Sequence, residues 1–198
     1  MSFFVLTLDA ESGLATLVLP ADLGGGLEPF ELTTGQSIAK QLKSNLLLSF
    51  DPDFPDFRKL GDLQPNSNGL FPVSARLGQI LRAEPEVEFL PIRIADHRKK
   101  VVSDEYTLAN FTKPVDCVDL TKSVYEMSSV DKAQADGIEK LVIDEKRVPA
   151  GRHVFRLKLR TTTVVVDQKL RDSIKAAKLK GVNLIPAEEF DSALYLGV

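Results

Sequence analysis

The sequence predicts an α+β protein with mixed sheets, built around two related β-α-β units at about residues 73–91 and 166–186. Three observations predict this. Short runs rich in Val, Ile, Leu and Phe recur along the chain between clusters of Gly, Pro, Asn and Asp, as strands do. Two stretches set a capping side chain before an apolar stripe at helical spacing. Both of these are flanked by strands. Val73-Ser74-Ala75-Arg76-Leu77 leads to Val87-Glu88-Phe89-Leu90-Pro91, and Val166-Asp167-Gln168-Lys169-Leu170 leads to Val182-Asn183-Leu184-Ile185-Pro186. The order in which the strands pair stays open.

The elements follow in turn. Residues 3–8 and 15–19 read as strands of a hairpin around Asp9-Ala10-Glu11-Ser12-Gly13. Gly24-Gly25-Gly26 is a turn; then Ile38, Leu42 and Leu46 recur at helical spacing behind Ser37. Residues 50–69 are a proline-punctuated loop that closes on Asn66-Ser67-Asn68-Gly69. In the first unit Ser74 caps a helix whose stripe is Leu77, Ile80 and Leu81, and Pro85 stops it. Strands from Val87 to Ala95 and from Val101 to Phe111 form a hairpin with the basic, exposed tip Asp96-His97-Arg98-Lys99-Lys100. Residues 122–137 read as irregular or briefly helical, and Ile138 to Ile143 and Val154 to Leu159 as strands. In the last of these, Phe155, Leu157 and Leu159 alternate with Arg156, Lys158 and Arg160, which predicts a basic face in water. In the second unit Asp167 caps a helix with the stripe Leu170, Ile174 and Ala177, ending at Gly181.

Composition narrows the function classes. Hydrophobic content of 43% and charged content of 27% suit a globular protein in water, and a net charge of −3 supplies no global field for nucleic acid or an anionic membrane. Residues 1–66 carry nine acids against four bases, a net of −5, and the remainder is slightly basic. The chain divides by character into an acidic N-terminal β/helix region, 1–56, and an α+β region, 57–198, that together are compatible with one continuous domain. A single cysteine leaves no internal disulfide and fits a reducing compartment. The run Phe3-Phe4-Val5-Leu6 is too short for a membrane span and lacks the basic flank of a signal peptide, so the expected location is the cytoplasm.

No catalytic constellation stands out. His97 and His153 are isolated from other ligand types, so neither announces zinc, and no cofactor is expected. Asp51, Asp53 and Asp56 have the spacing of a calcium loop without its glycine or its late glutamate. Ser37-Ile38-Ala39-Lys40 lacks the companion motifs of serine–lysine acyl transfer, and Cys117 between Val115 and Val118 reads as a buried, inert thiol.

The blocks Val87-Glu88-Phe89-Leu90-Pro91-Ile92, Tyr106-Thr107-Leu108-Ala109-Asn110 and Val115-Asp116-Cys117-Val118-Asp119-Leu120-Thr121-Lys122-Ser123 resemble, in order, the central signature of one bacterial family. It is the myxobacterial-type immunity protein domain family of polymorphic toxin systems, formerly a domain of unknown function. The likeness continues through Ile138 to Asp144, Val154 to Leu157 and the second unit, and covers roughly residues 57–188. The resemblance implies a non-catalytic cytoplasmic protein that binds and neutralises a cognate toxin protein. It supplies no contact residues. From charge alone, Asp51, Asp53, Asp56, Asp116 and Asp119 are the candidates for meeting a cationic partner surface. A hydrolase with a carboxylate-only site and a self-assembling module, for instance a homodimer joined through exposed strand edges, are the alternatives.

Overall fold

The computed structural model describes residues 2–9 and 13–195. Its strands are β1 (Phe3–Leu8), β2 (Leu17–Val18), β3 (Leu46–Phe50), β4 (Pro72–Val73), β5 (Val87–Ala95), β6 (Val101–Phe111), β7 (Val124–Met127), β8 (Ala135–Lys140), β9 (Val154–Arg156), β10 (Val164–Asp167) and β11 (Val182–Pro186); its helices are α1 (Ala75–Leu81) and α2 (Gln168–Ala176). One sheet runs β11-β1-β10-β9, a second runs β2-β3-β5-β6-β4, and β7 pairs with β8 in a separate ribbon. Only the β3–β5 pairing is parallel among these ladders, which makes the second sheet mixed. The α+β class read from the sequence is thus the class observed.

The two β-α-β units share a topology that periodicity alone does not show. Strands β4 and β5 both lie antiparallel to β6, which sits between them. Strands β10 and β11 both lie antiparallel to β1, which likewise sits between them. Each helix therefore connects two parallel strands across an inserted third.

Local chemistry sets both helices. Ser74 Oγ accepts from Leu77 N–H, and Asp167 Oδ1 accepts from Leu170 N–H at 2.9 Å, so each cap satisfies a donor that the first helical turn leaves unpaired. The stripes then point to one shared core. Leu77 and Leu81 of α1 pack with Leu170 and Ile174 of α2, with Phe4, Leu6 and Leu8 of β1, and with Ala109 and Phe111 of β6. Full burial of a leucine is worth about 1.5–3 kcal/mol, so this centre contributes heavily to stability. Two further cores cover the outer faces. Leu17, Leu32, Ile38, Leu48 and Ile92 belong to one, and Val5, Cys117, Ile138, Phe155 and Val165 to the other.

Asp62, nearly buried, ties the two units together. Its Oδ1 accepts from Ser74 Oγ at 2.6 Å, and its Oδ2 accepts from Arg76 Nη1 at 3.1 Å and from the Lys180 backbone at 2.9 Å. Arg76 also donates to the carbonyl of Ala177 at the end of α2.

Four local expectations are corrected. β1 does not form a hairpin with residues 15–19: it joins β10 and β11, and β2 joins β3, because β1 is apolar on both faces and needs cover on each; residues 10–12, the expected turn, lie outside the described residues. Residues 38–43 form turns rather than a helix, and Leu46 begins β3. The spacing of Ile38, Leu42 and Leu46 meets helical and strand-plus-turn burial alike. Residues 124–127 and 135–140 are a β-ribbon, with Tyr125 opposite Ile138; the stretch up to 137 was expected to be irregular or briefly helical, and the strand expected from Ile138 starts at Ala135 and ends at Lys140. Finally, Arg156 does not face water. It is 1% exposed, because the sheet holding β9 has a core on each side.

Candidate functional site

The strongest surface candidate is the loop that leaves β3. Asp51 N–H donates to the carbonyl of Thr16 at 2.8 Å, and Asp51 Oδ1 accepts from Asp53 N–H at 3.0 Å. Two turns follow, closed by Phe54 N–H to Asp51 O at 3.2 Å and Phe57 N–H to Phe54 O at 3.1 Å. Arg58 Nε folds back on the carbonyl of Pro55. Pro52 and Pro55 fix their own φ, so the loop has few conformations to lose.

This path brings two phenylalanines together in the open. The Phe54 and Phe57 rings stack with centroids 5.7 Å apart and planes 13° apart, yet remain 47% and 40% exposed. Asp53 and Asp56 are exposed beside them and Asp51 is half-buried. The arrangement can present an apolar face inside a carboxylate rim. In the sequence these phenylalanines only interrupt a would-be calcium loop. Their spacing of three, between prolines, was the available signal.

Asp116 and Asp119 lie elsewhere, on the segment after β6 that borders the third core. Their charges are met within the protein. Asp116 pairs with Arg147 at 2.8 Å. Asp119 accepts from Lys122 Nζ at 2.9 Å and from the hydroxyl and N–H of Thr121, with Lys122 chiefly holding its carboxyl down at about 2. The five acids named from charge therefore form two groups, one without an ion pair among the described residues and one paired with Arg147 and Lys122.

The remaining sequence candidates are structural. Cys117 is fully buried, and burial pushes its thiol up to about 12. Ser37 Oγ donates to Glu88, which fixes it at the base of β5 rather than beside Lys40. The His97 ring lies edge-on to Phe50, with both nitrogens shielded from solvent and unbonded. Among the described residues no three His, Cys, Asp or Glu side chains converge as a metal site.

His153 is the residue that the sequence reading undervalued. Its Nδ1 lies 2.7 Å from Asp167 Oδ2, its N–H donates to Glu84 Oε2 at 3.2 Å, and its ring borders a cavity of about 280 Å³ with Ile80, Lys169, Leu170 and Ser173. The hairpin register was the missed signal: Val154 opposite Val166 places His153 opposite Asp167.

With this geometry in view, comparison supplies the family. The model of the immunity protein family Imm11 matches residues 14–189. The chain belongs to that family. The match starts well before residue 57, where the likeness to the immunity family in the sequence began, so the Asp51–Arg58 loop lies inside the family region. No curated protein matches the chain. Among the described residues no helix is long and apolar enough to cross a membrane.

Proposed function

We propose that this protein is an immunity protein that binds a cognate bacterial toxin and neutralises it by stoichiometric association in the cytoplasm, without catalysis of its own. The observation that carries the reading is the family match over residues 14–189. The acidic loop supports it, since clustered exposed carboxylates accelerate encounter with a cationic partner and select against acidic ones. Asp51, Asp53 and Asp56 lead the contact candidates on this reading, with Asp116 and Asp119 behind them because Arg147 and Lys122 already neutralise those two.

The 1–56 region then differs from 57–198 in the surface that it offers the partner. The matching topology of the two β-α-β units is consistent with an internal duplication that built the scaffold.

The test is genetic and then biochemical. The gene adjacent to this one is expressed alone and together with it. The expected result is growth arrest alone, rescue on co-expression, and co-elution of the two proteins as one complex. A neighbouring product that is harmless without this protein overturns the reading.

A further inference from the structure

We infer that the stacked pair Phe54–Phe57 is the anchor of the toxin contact, inserting into an apolar pocket that is rimmed by basic side chains on the partner protein. The inference rests on the proposed function and deepens it by naming the chemistry on both sides. Three independent features converge on it.

The first is exposure. Two phenylalanine rings that remain 47% and 40% exposed leave apolar surface in water, while their stacking keeps that surface contiguous. Contiguous aromatic surface framed by polar residues is characteristic of interaction sites, and buried aromatic anchors carry a disproportionate share of binding energy. The second is pre-organisation. The Asp51–Asp53 side-chain turn, the two backbone turns and the two prolines hold the rings in place before any partner arrives. Ordering costs on binding are correspondingly small. The third is charge. Among the described residues none of Asp51, Asp53 and Asp56 forms an ion pair, and the nearby Arg58 is turned onto the Pro55 carbonyl. A basic rim on the partner complements that excess, whereas an acidic or neutral rim does not.

Another set of exposed apolar residues, Leu120, Val124, Met127 and Val130 around the β7–β8 ribbon, lacks this combination. Among the described residues no aromatic pair stacks there, and Asp119 beside Leu120 is already paired with Lys122.

The experiment uses the full chain and the product of the adjacent gene, purified as an inactive variant, with affinity measured by titration calorimetry. Phe54→Ala/Phe57→Ala is expected to weaken the complex at least about thirtyfold, the range of true anchor residues. Asp53→Asn/Asp56→Asn, which spares the loop-capping Asp51, is expected to slow association about tenfold at low salt and to flatten the salt dependence. Urea titration of each variant should match the unaltered protein, since all four side chains are exposed. Equal affinity of the Phe54→Ala/Phe57→Ala variant and the unaltered protein overturns the anchor while leaving the immunity reading intact. No complex with the unaltered protein removes both.

Discussion

The Asp167 carboxylate serves two partners at once: its Oδ2 lies 2.7 Å from His153 Nδ1, and its Oδ1 accepts from Leu170 N–H at 2.9 Å to cap α2. The side chain is 2% exposed, so neither oxygen can turn to water in compensation. One residue thereby couples the start of the β9–β10 hairpin to the start of the second helix. Asp167→Ala is expected to lower stability by about 2–4 kcal/mol, combining a lost cap with an unpaired, half-buried imidazole. Asp167→Asn keeps an acceptor for the cap and should cost about half as much. Urea denaturation of the two variants checks the order; equal losses would mean that the cap contributes nothing.

Arg156 offers the opposite case, a buried charge with no carboxylate partner among the described residues. Its guanidinium lies 5.6 Å from the Phe71 ring centroid and 5.9 Å from that of Phe111, and Nη1 donates to the carbonyl of Thr161 at 2.6 Å. Burial lowers its pKa to about 10, which expresses the cost of holding the charge there. Arg156→Met, similar in length and uncharged, is expected to leave stability unchanged or raise it by up to about 2 kcal/mol. Arg156→Ala should lower it by about 3 kcal/mol through the cavity left between the two phenylalanines. Thermal unfolding of both variants at neutral pH separates charge from volume.

Alkaline pH should weaken the fold through two buried acids. Tyr106, whose hydroxyl donates to the carbonyl of Gly61, and Cys117 are both raised by burial to about 12. Their unfolded values are near 10 and 9. Each folded value lies above its unfolded one, so the unfolded chain releases its proton first. The stabilising contribution is complete below about pH 9 and is lost as pH rises toward 12. Tyr106→Phe should cost about 1 kcal/mol at neutral pH and shallow the decline above pH 10. Denaturant midpoints measured from pH 7 to 11 check the slope. Cys117 should also resist a thiol reagent at pH 8 until denaturant is added.

Gly181 turns the chain from α2 into β11 with φ at +75°, and a Cβ there would sit 2.5 Å from the carbonyl oxygen of Leu63. Left-handed backbone and the clash act together, so Gly181→Ala is expected to cost about 2–3 kcal/mol. Hydrogen exchange should show the loss concentrated at β11 and β1, and uniform protection across the variant would contradict it.

Much of the fold was legible because local chemistry and tertiary packing agree. The caps Ser74 and Asp167, the stripes Leu77–Leu81 and Leu170–Ile174, and the hairpin from Val87 to Phe111 all follow from spacing that only one structure satisfies. Legibility failed where both faces of an element are covered. Alternation then loses its meaning: β1 is apolar on both faces but for Thr7, and Arg156 occupies a core position that a one-sided sheet would give to solvent. The surface candidates were half legible. Charge pointed to Asp51, Asp53 and Asp56, but a stacked ring pair depends on turn geometry that residue types leave unspecified.

The place of β1 in its sheet bears on how soon the protein can act. Phe4 lies opposite Val166 on one side and Pro186 on the other, so β1 has no partner in its sheet until the second β-α-β unit has been made. At synthesis rates of about 5–20 residues per second, that interval is on the order of ten seconds or more. Through it the run Phe3-Phe4-Val5-Leu6 is a sticky nascent segment that holding chaperones can occupy. The first strand is therefore secured only when the second unit closes the sheet around it.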